Sequence, residues 1–333
     1  VDTNRDLIAD FQAAGWNYAA DGTQLANRPA DTRKLLGLFS FSNMNVAKDK
    51  IDGRRGAKPP GATNAVVDEF GFPDQPMLEE MTDAALEVLS KNPNGFVLMV
   101  EAASIDKQAH NMDTERWILD TIEFDHAIGR CLEFAKDHPD TLVIVTADHE
   151  CAGINIIGGS RVTQATLAAQ LAAPAVQTIN YTNTVAGFTF TYPYSLYTIR
   201  TNVGTYENAG FPQYAQAADG YPATTEIDRR MIIGYAANAD RFEDYSANAY
   251  PLQDSQQPFV RQAPLSRHPA GPASRDYPQG NFIPGQIPDP VASHTASDVP
   301  VSAQGRGAAA FTGVMDNTEV FFKAMQAVLG GTR

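Results

Sequence analysis

Two carboxylate–imidazole pairs are the part of this sequence best equipped for chemistry. Asp106 and His110 are four residues apart, so one helical turn puts both on the same face. A carboxylate and an imidazole are good Zn²⁺ ligands. A third donor from elsewhere would still leave one coordination position open, the pattern of a catalytic zinc rather than a structural one. Asp148 and His149 are a second such pair. Glu101 is a hard oxygen donor better suited to Mg²⁺. Two divalent cations about 4 Å apart can hold the attacking and leaving oxygens of an in-line phosphoryl displacement.

The elements that must position these residues can be read on either side of them. The apolar run Phe96–Val100 leads directly into Glu101, and Leu142–Thr146 leads into Asp148. Short, wholly apolar runs predict strands buried on both faces, as in a parallel sheet covered by helices. Between them the spacing predicts a helix over Thr114–Lys136, with Asp113 at the N-cap and Ile118, Ile122, Leu132 and Ala135 facing inward. The result is a βαβ unit with a right-handed crossover. Ligands in such sheets gather beyond the carboxyl ends of the strands, so both acidic loops are expected to open onto one crevice.

The rest of the chain fits an α/β fold: a doubly wound, largely parallel sheet with helices on both faces, plus a large irregular, partly β insertion. Helices are predicted over residues 4–15, Pro76–Leu89 and Thr318–Leu329, and strands over Lys34–Ser40 and Asp298–Ser302. The polar forty residues after Ser40 read as surface loop. Residues 1–175 are expected to form core and 176–290 a crown- or lid-like insertion. Its Pro-, Gln- and Ser-rich part, 251–292, reads as a loop tethered at both ends. Residues 291–333 return to the core. The 333 residues are 43% hydrophobic with no apolar run of membrane-spanning length. A formal net charge of −14 excludes the basic footprint of a nucleic-acid binder. It also means that any phosphate chemistry must be run by local cations. The two cysteines, Cys131 and Cys151, are expected to be free thiols, Cys151 lying beside the site. No GxGxxG, P-loop, GxSxG or internal repeat is present.

Longer motifs carry a resemblance. The segments around Leu35–Phe39, Pro76–Thr82, Leu89–Phe96, Leu98–His110, Val145–His149 and His294–Val301 resemble alkaline phosphatase over roughly residues 1–157 and 292–333. The resemblance implies phosphate monoester hydrolysis through a phosphoserine intermediate, with two zinc ions and one magnesium ion. It implies that Asp106, His110 and His294 hold the first zinc and Asp148 and His149 the second. Glu101 would hold magnesium, and Lys107 falls where the family influences phosphate or metal. His294 enters only through the resemblance. Family members are mostly periplasmic, secreted or membrane-anchored, and a homodimer is expected.

The departure from the family pattern is that no segment resembles its Asp-Ser-Ala motif, so the nucleophilic serine and the phosphate-clamping arginine are not found in this chain. The chain resembles the C-terminal half of the enzyme, with the second zinc and magnesium sites incomplete. Half a doubly wound sheet exposes a strand edge, and the chain opens at Val1 without a leader-like segment. The missing half is therefore expected as preceding sequence or a companion fragment. The alternatives are a related metal-dependent sulfatase or phosphodiesterase, and a catalytically incomplete metal-binding fragment.

Overall fold

The structure is a computed structural model. It describes residues 5–59, 62–111, 113–159, 176–185, 188–197, 214–225, 227, 231–235 and 292–330. Its elements are α1 (Leu7–Ala13), β1 (Asn17–Ala19), α2 (Gly22–Ala26), β2 (Leu35–Gly37), α3 (Ala47–Arg54), α4 (Val66–Glu69), α5 (Leu78–Leu89), α6 (Ser104–His110) and α7 (Thr114–Asp137). There follow β3 (Leu142–Thr146), β4 (Glu150–Cys151), β5 (Ile154–Gly159), β6 (Val176–Val185), β7 (Phe188–Tyr197), β8 (Met231–Tyr235), β9 (His294–Thr295), β10 (Val301–Gly305), a 3₁₀ turn (Ala308–Phe311) and α8 (Asn317–Val328). The mixture is α/β. Among the described residues β1 and β2 pair in parallel, whereas β3–β10, β4–β9, β5–β8 and β6–β7 pair antiparallel.

The 24-residue α7 is the spine. The expected inward stripe is only partly right. Ile118 and Ile122 pack on the core, but the buried apolar positions are Trp117, Leu119 and Ala127, interleaved with the buried Glu115, Arg116, Asp120 and Glu123. Asp113 occupies the N-cap position without capping. Its carboxylate instead accepts from the Arg116 guanidinium at 3.0 Å. Arg116 also reaches Asp49 of α3 at 2.8 Å, while Lys50 donates to Glu123 at 2.5 Å and Lys48 lies 3.5 Å from Glu115. Buried charges persist only when paired in this way. This corrects the expectation that the stretch after Ser40 is surface loop: it holds α3 and α4, and Lys48, Asp49 and Lys50 are buried. Polar composition there reflects an ion-pair layer between α3 and α7.

The run Phe96–Val100 forms no strand ladder among the described residues, and Val97 and Met99 are exposed. The predicted βαβ unit is therefore not closed within the described residues, and β3 takes the antiparallel β10 as its neighbour. Within 176–290, Tyr221 and Ile227 pack with Ala47, Ile51, Met77 and Leu119. The Tyr221 hydroxyl donates to the Glu79 carboxylate at 2.9 Å. That part of the expected insertion belongs to the core, while 251–291 lies outside the described residues. Cys131 and Cys151 are both free.

Candidate metal centre

Three segments meet at the site. The first is the short α6, whose i, i+4 spacing sets Asp106 over His110 as expected. The second is the two-residue ladder β4–β9, in which Glu150 opposes Thr295 and Cys151 opposes His294. Directly opposed residues of a ladder share a face, so His294 and Cys151 project together. The third is the Ala292 peptide, which grips the end of α6 from both sides. Its N–H donates to the His110 carbonyl at 2.7 Å, and its carbonyl meets His110 Nδ1 at 2.6 Å.

That second contact fixes the chemistry of His110. A carbonyl only accepts, so Nδ1 donates to Ala292, and in the neutral ring Nε2 then offers its lone pair. It points at two other donor atoms, His294 Nε2 at 3.0 Å and Asp106 Oδ1 at 3.3 Å, and the remaining edge, His294 Nε2 to Asp106 Oδ1, is 3.2 Å. Zinc–nitrogen bonds of about 2.0–2.1 Å imply donor–donor edges near 3.3 Å in a tetrahedron, so the spacing suits that ion. Asp106 Oδ1 is itself buried and has no hydrogen-bond partner among the described residues. Electron-rich atoms this close, one of them unsatisfied, fit a cation among them. The side chains remain 28% (His110), 37% (Asp106) and 43% (His294) exposed, which leaves the site open on one side.

Glu150 supports this arrangement from behind. Its carboxylate accepts from the Gly153 and Ile154 N–H groups, each at 3.0 Å, and from the Thr295 hydroxyl. It therefore locks the turn after β4 and β9 together. Ala152 holds a left-handed φ of +66° in that turn, a conformation uncommon without glycine. Cys151 is buried against Ala109, Trp117, Ala152 and Ala292. Burial, and after it the Asp106 carboxylate, push its thiol up to about 12.

The second predicted pair lies beside the first. The His149 ring stacks on His294 at 3.5 Å, and its Nε2 is 3.4 Å from Asp148 Oδ2, on a side chain 88% exposed. Glu101 is exposed and Lys107, on α6, partly buried. Among the described residues Asp106, His110, Cys151 and His294 form the group of potential donors, with donor atoms all within 4.8 Å of one another. Glu101, Asp148 and His149 are not in it. Cys151 as a member was missed by sequence reasoning. The signal was its place two residues after His149 on an extended segment, where alternate side chains share a face.

The sequence model of the family described as "Alkaline phosphatase" matches residues 2–230. The chain belongs to the alkaline phosphatase family. The match takes in Glu101, Asp106, Lys107, His110, Asp148 and His149 and runs past residue 157, whereas His294 lies outside it. The chain is 37% identical to alkaline phosphatase of Escherichia fergusonii over 177 residues, 51% of this chain and 37% of the relative. It is 36% identical to that of Escherichia coli K12 over 183 residues, 54% and 39% of the two chains. A streptomycin-6-phosphate phosphatase from Streptomyces griseus is 39% identical over 155 residues, 44% and 33%. The chain thus spans under two-fifths of the length of these relatives. Among solved structures, alkaline phosphatase from Thermus thermophilus superposes with a TM-score of 0.50 at 23% identity, over 99% of this chain and 59% of its own, a likeness of fold. Among the described residues no helix is long and apolar enough to cross a membrane.

Proposed function

We propose that this chain provides the cation-holding portion of a phosphatase that hydrolyses phosphate monoesters through a phosphoserine intermediate. The observation that carries the reading is the triangle of Asp106, His110 and His294, with edges of 3.0–3.3 Å around an unsatisfied carboxylate oxygen. Zinc bound there would place positive charge where the leaving ester oxygen develops its negative charge. Asp106 offsets part of that charge, and Ala292 keeps the His110 proton on Nδ1, so that Nε2 stays available. Asp148 and His149 are proposed as donors to a second zinc and Glu101 to magnesium, with Lys107 turned toward phosphate.

The nucleophilic serine and the phosphate-binding arginine are assigned to an N-terminal half that packs on this one and completes a doubly wound, largely parallel sheet. Bare apolar surface supports that companion: Val97 and Met99 are 73% and 84% exposed, and Phe321, Phe322 and Leu329 of the α8 end are exposed too. A homodimer and a periplasmic or secreted location complete the proposal.

The test compares the chain alone with the chain carrying its upstream half, using p-nitrophenyl phosphate, a bis-ester and a sulfate ester. The longer protein is expected to turn over the monoester preferentially and the chain alone to be inactive. Asp106→Ala or His294→Ala should lower zinc content and turnover together. If neither quantity moved in either variant, the ligand assignment would be lost. Preference for the sulfate ester or the bis-ester would move the protein to a different esterase class.

A further inference from the structure

We infer that Cys151 is a fourth protein donor to the cation at this site, giving a mixed Asp-His-His-Cys set selective for thiophilic divalent ions. The inference rests on reading Asp106, His110 and His294 as a metal site and goes beyond it. Four side chains from three segments bring one donor atom each within 4.8 Å of all the others. The Cys151 position is built rather than incidental. It opposes His294 in the β4–β9 ladder, and Glu150 clamps the turn that follows.

The thiol's hydrogen-bond contact is a long 3.9 Å approach to the Asp106 backbone carbonyl, weak for sulfur and easily given up. With zinc–sulfur near 2.3 Å and zinc–nitrogen near 2.0–2.1 Å, a tetrahedral sulfur–nitrogen edge is roughly 3.6 Å. Starting from separations within 4.8 Å, the sulfur therefore needs to close by at most about 1.2 Å. As the sulfur–metal bond forms, the thiol proton leaves to solvent, one per cation bound. Zinc sites expand to five ligands, so a sulfur donor and an incoming substrate oxygen are compatible. His149 is not a competitor for the place: its ring lies against His294, with its nitrogens near Asp148 and the Glu150 carbonyl. A thiolate shifts preference away from magnesium and toward zinc and cadmium.

Cobalt titration of the chelator-stripped chain tests this without any assay of turnover. Visible ligand-field bands report occupation of the site, and a near-ultraviolet thiolate-to-cobalt band reports sulfur coordination. The wild-type chain is expected to show both at one equivalent. Cys151→Ser and Cys151→Ala should keep the visible bands, lose the ultraviolet band and bind zinc at least about tenfold more weakly. Cys131→Ala should keep both bands. X-ray absorption at the zinc edge of the wild-type protein, which needs no variant, should show a sulfur scatterer at about 2.3 Å. Visible bands without the ultraviolet band, or an ultraviolet band that survives Cys151→Ser, overturn the sulfur assignment and leave the three-donor site standing. Failure to bind cobalt at all overturns the site itself.

Discussion

Replacing Asp49 by Ala removes a carboxylate partner from a guanidinium held entirely inside the protein. The Arg116 side chain has no exposed surface. Its Nη2 and Nε donate to Asp49 at 2.8 and 3.4 Å, and its Nη1 donates to Asp113 at 3.0 Å. The two acids are 2% and 4% exposed. Breaking a buried pair from one side costs about 3–5 kcal/mol, mostly because the remaining charge stays desolvated. At about 1.5 °C per kcal/mol, from roughly 2.1 cal/mol/K per residue over 333 residues, Tm should fall by about 4–8 °C. Asp10→Ala is the control: its pair with Arg5 is 60% and 48% exposed, and such surface pairs contribute ~0–1 kcal/mol. Scanning calorimetry reads both. Arg116→Met added to Asp49→Ala should recover part of the loss, because it removes the buried charge that has lost this partner. The reasoning is refuted if Asp49→Ala melts with the Asp10→Ala control, or if the second substitution costs as much in that background as it does alone.

Asp120 predicts a pH dependence. Its Oδ1 accepts from the Ala47 N–H at 2.9 Å, Oδ2 has no hydrogen-bond partner among the described residues, and burial, then the Glu123 carboxylate, holds its pKa well above the usual range. The native state keeps that proton to higher pH than the unfolded chain. The associated stability is full below the unfolded carboxylate pKa of about 3.9 and is lost as pH rises through the raised native value. Asp120→Asn should therefore match the parent in urea midpoint at acid pH and exceed it at alkaline pH; a constant offset would contradict the assignment. Glu150→Gln turns one acceptor into a donor facing the N–H groups it now receives, and zinc affinity measured by competition with a chelator should drop about 10–100-fold. Gly305→Ala should cost about 3 kcal/mol or more by denaturant unfolding. Gly305 has φ +101°, and a Cβ there would sit 2.0 Å from the Thr141 carbonyl oxygen. Gly313→Ala, at φ +83° with open space around it, should cost only about 1 kcal/mol.

What could be read from the sequence followed the range of the interactions. Asp106 and His110 were legible because the helix that carries them places them four residues apart; α5, α7 and α8 were legible from their apolar spacing, as was β3 from its composition. α3 was not, because Lys48, Asp49 and Lys50 look like a solvated run until their partners are known. Those partners lie 67 and 73 residues away for Arg116 and Glu123. Phe96–Val100 has strand composition but finds no ladder among the described residues, since a strand is defined by its neighbour as much as by itself. His294 came from family resemblance alone: its position depends on a two-residue ladder and a single peptide at Ala292, neither of which has a compositional signature. Cys151 was placed beside the site but not among its donors, because its approach to Asp106, His110 and His294 depends on that same ladder.

The contact between His110 and His294 joins residues 184 positions apart. A cation shared by their rings would act as a clasp on a very long loop, and closing such a loop becomes only slowly more costly as it lengthens. Proteolytic cutting of the intervening chain should thus leave two pieces joined by the β3–β10 ladder and by the ion, and a chelator should weaken their association.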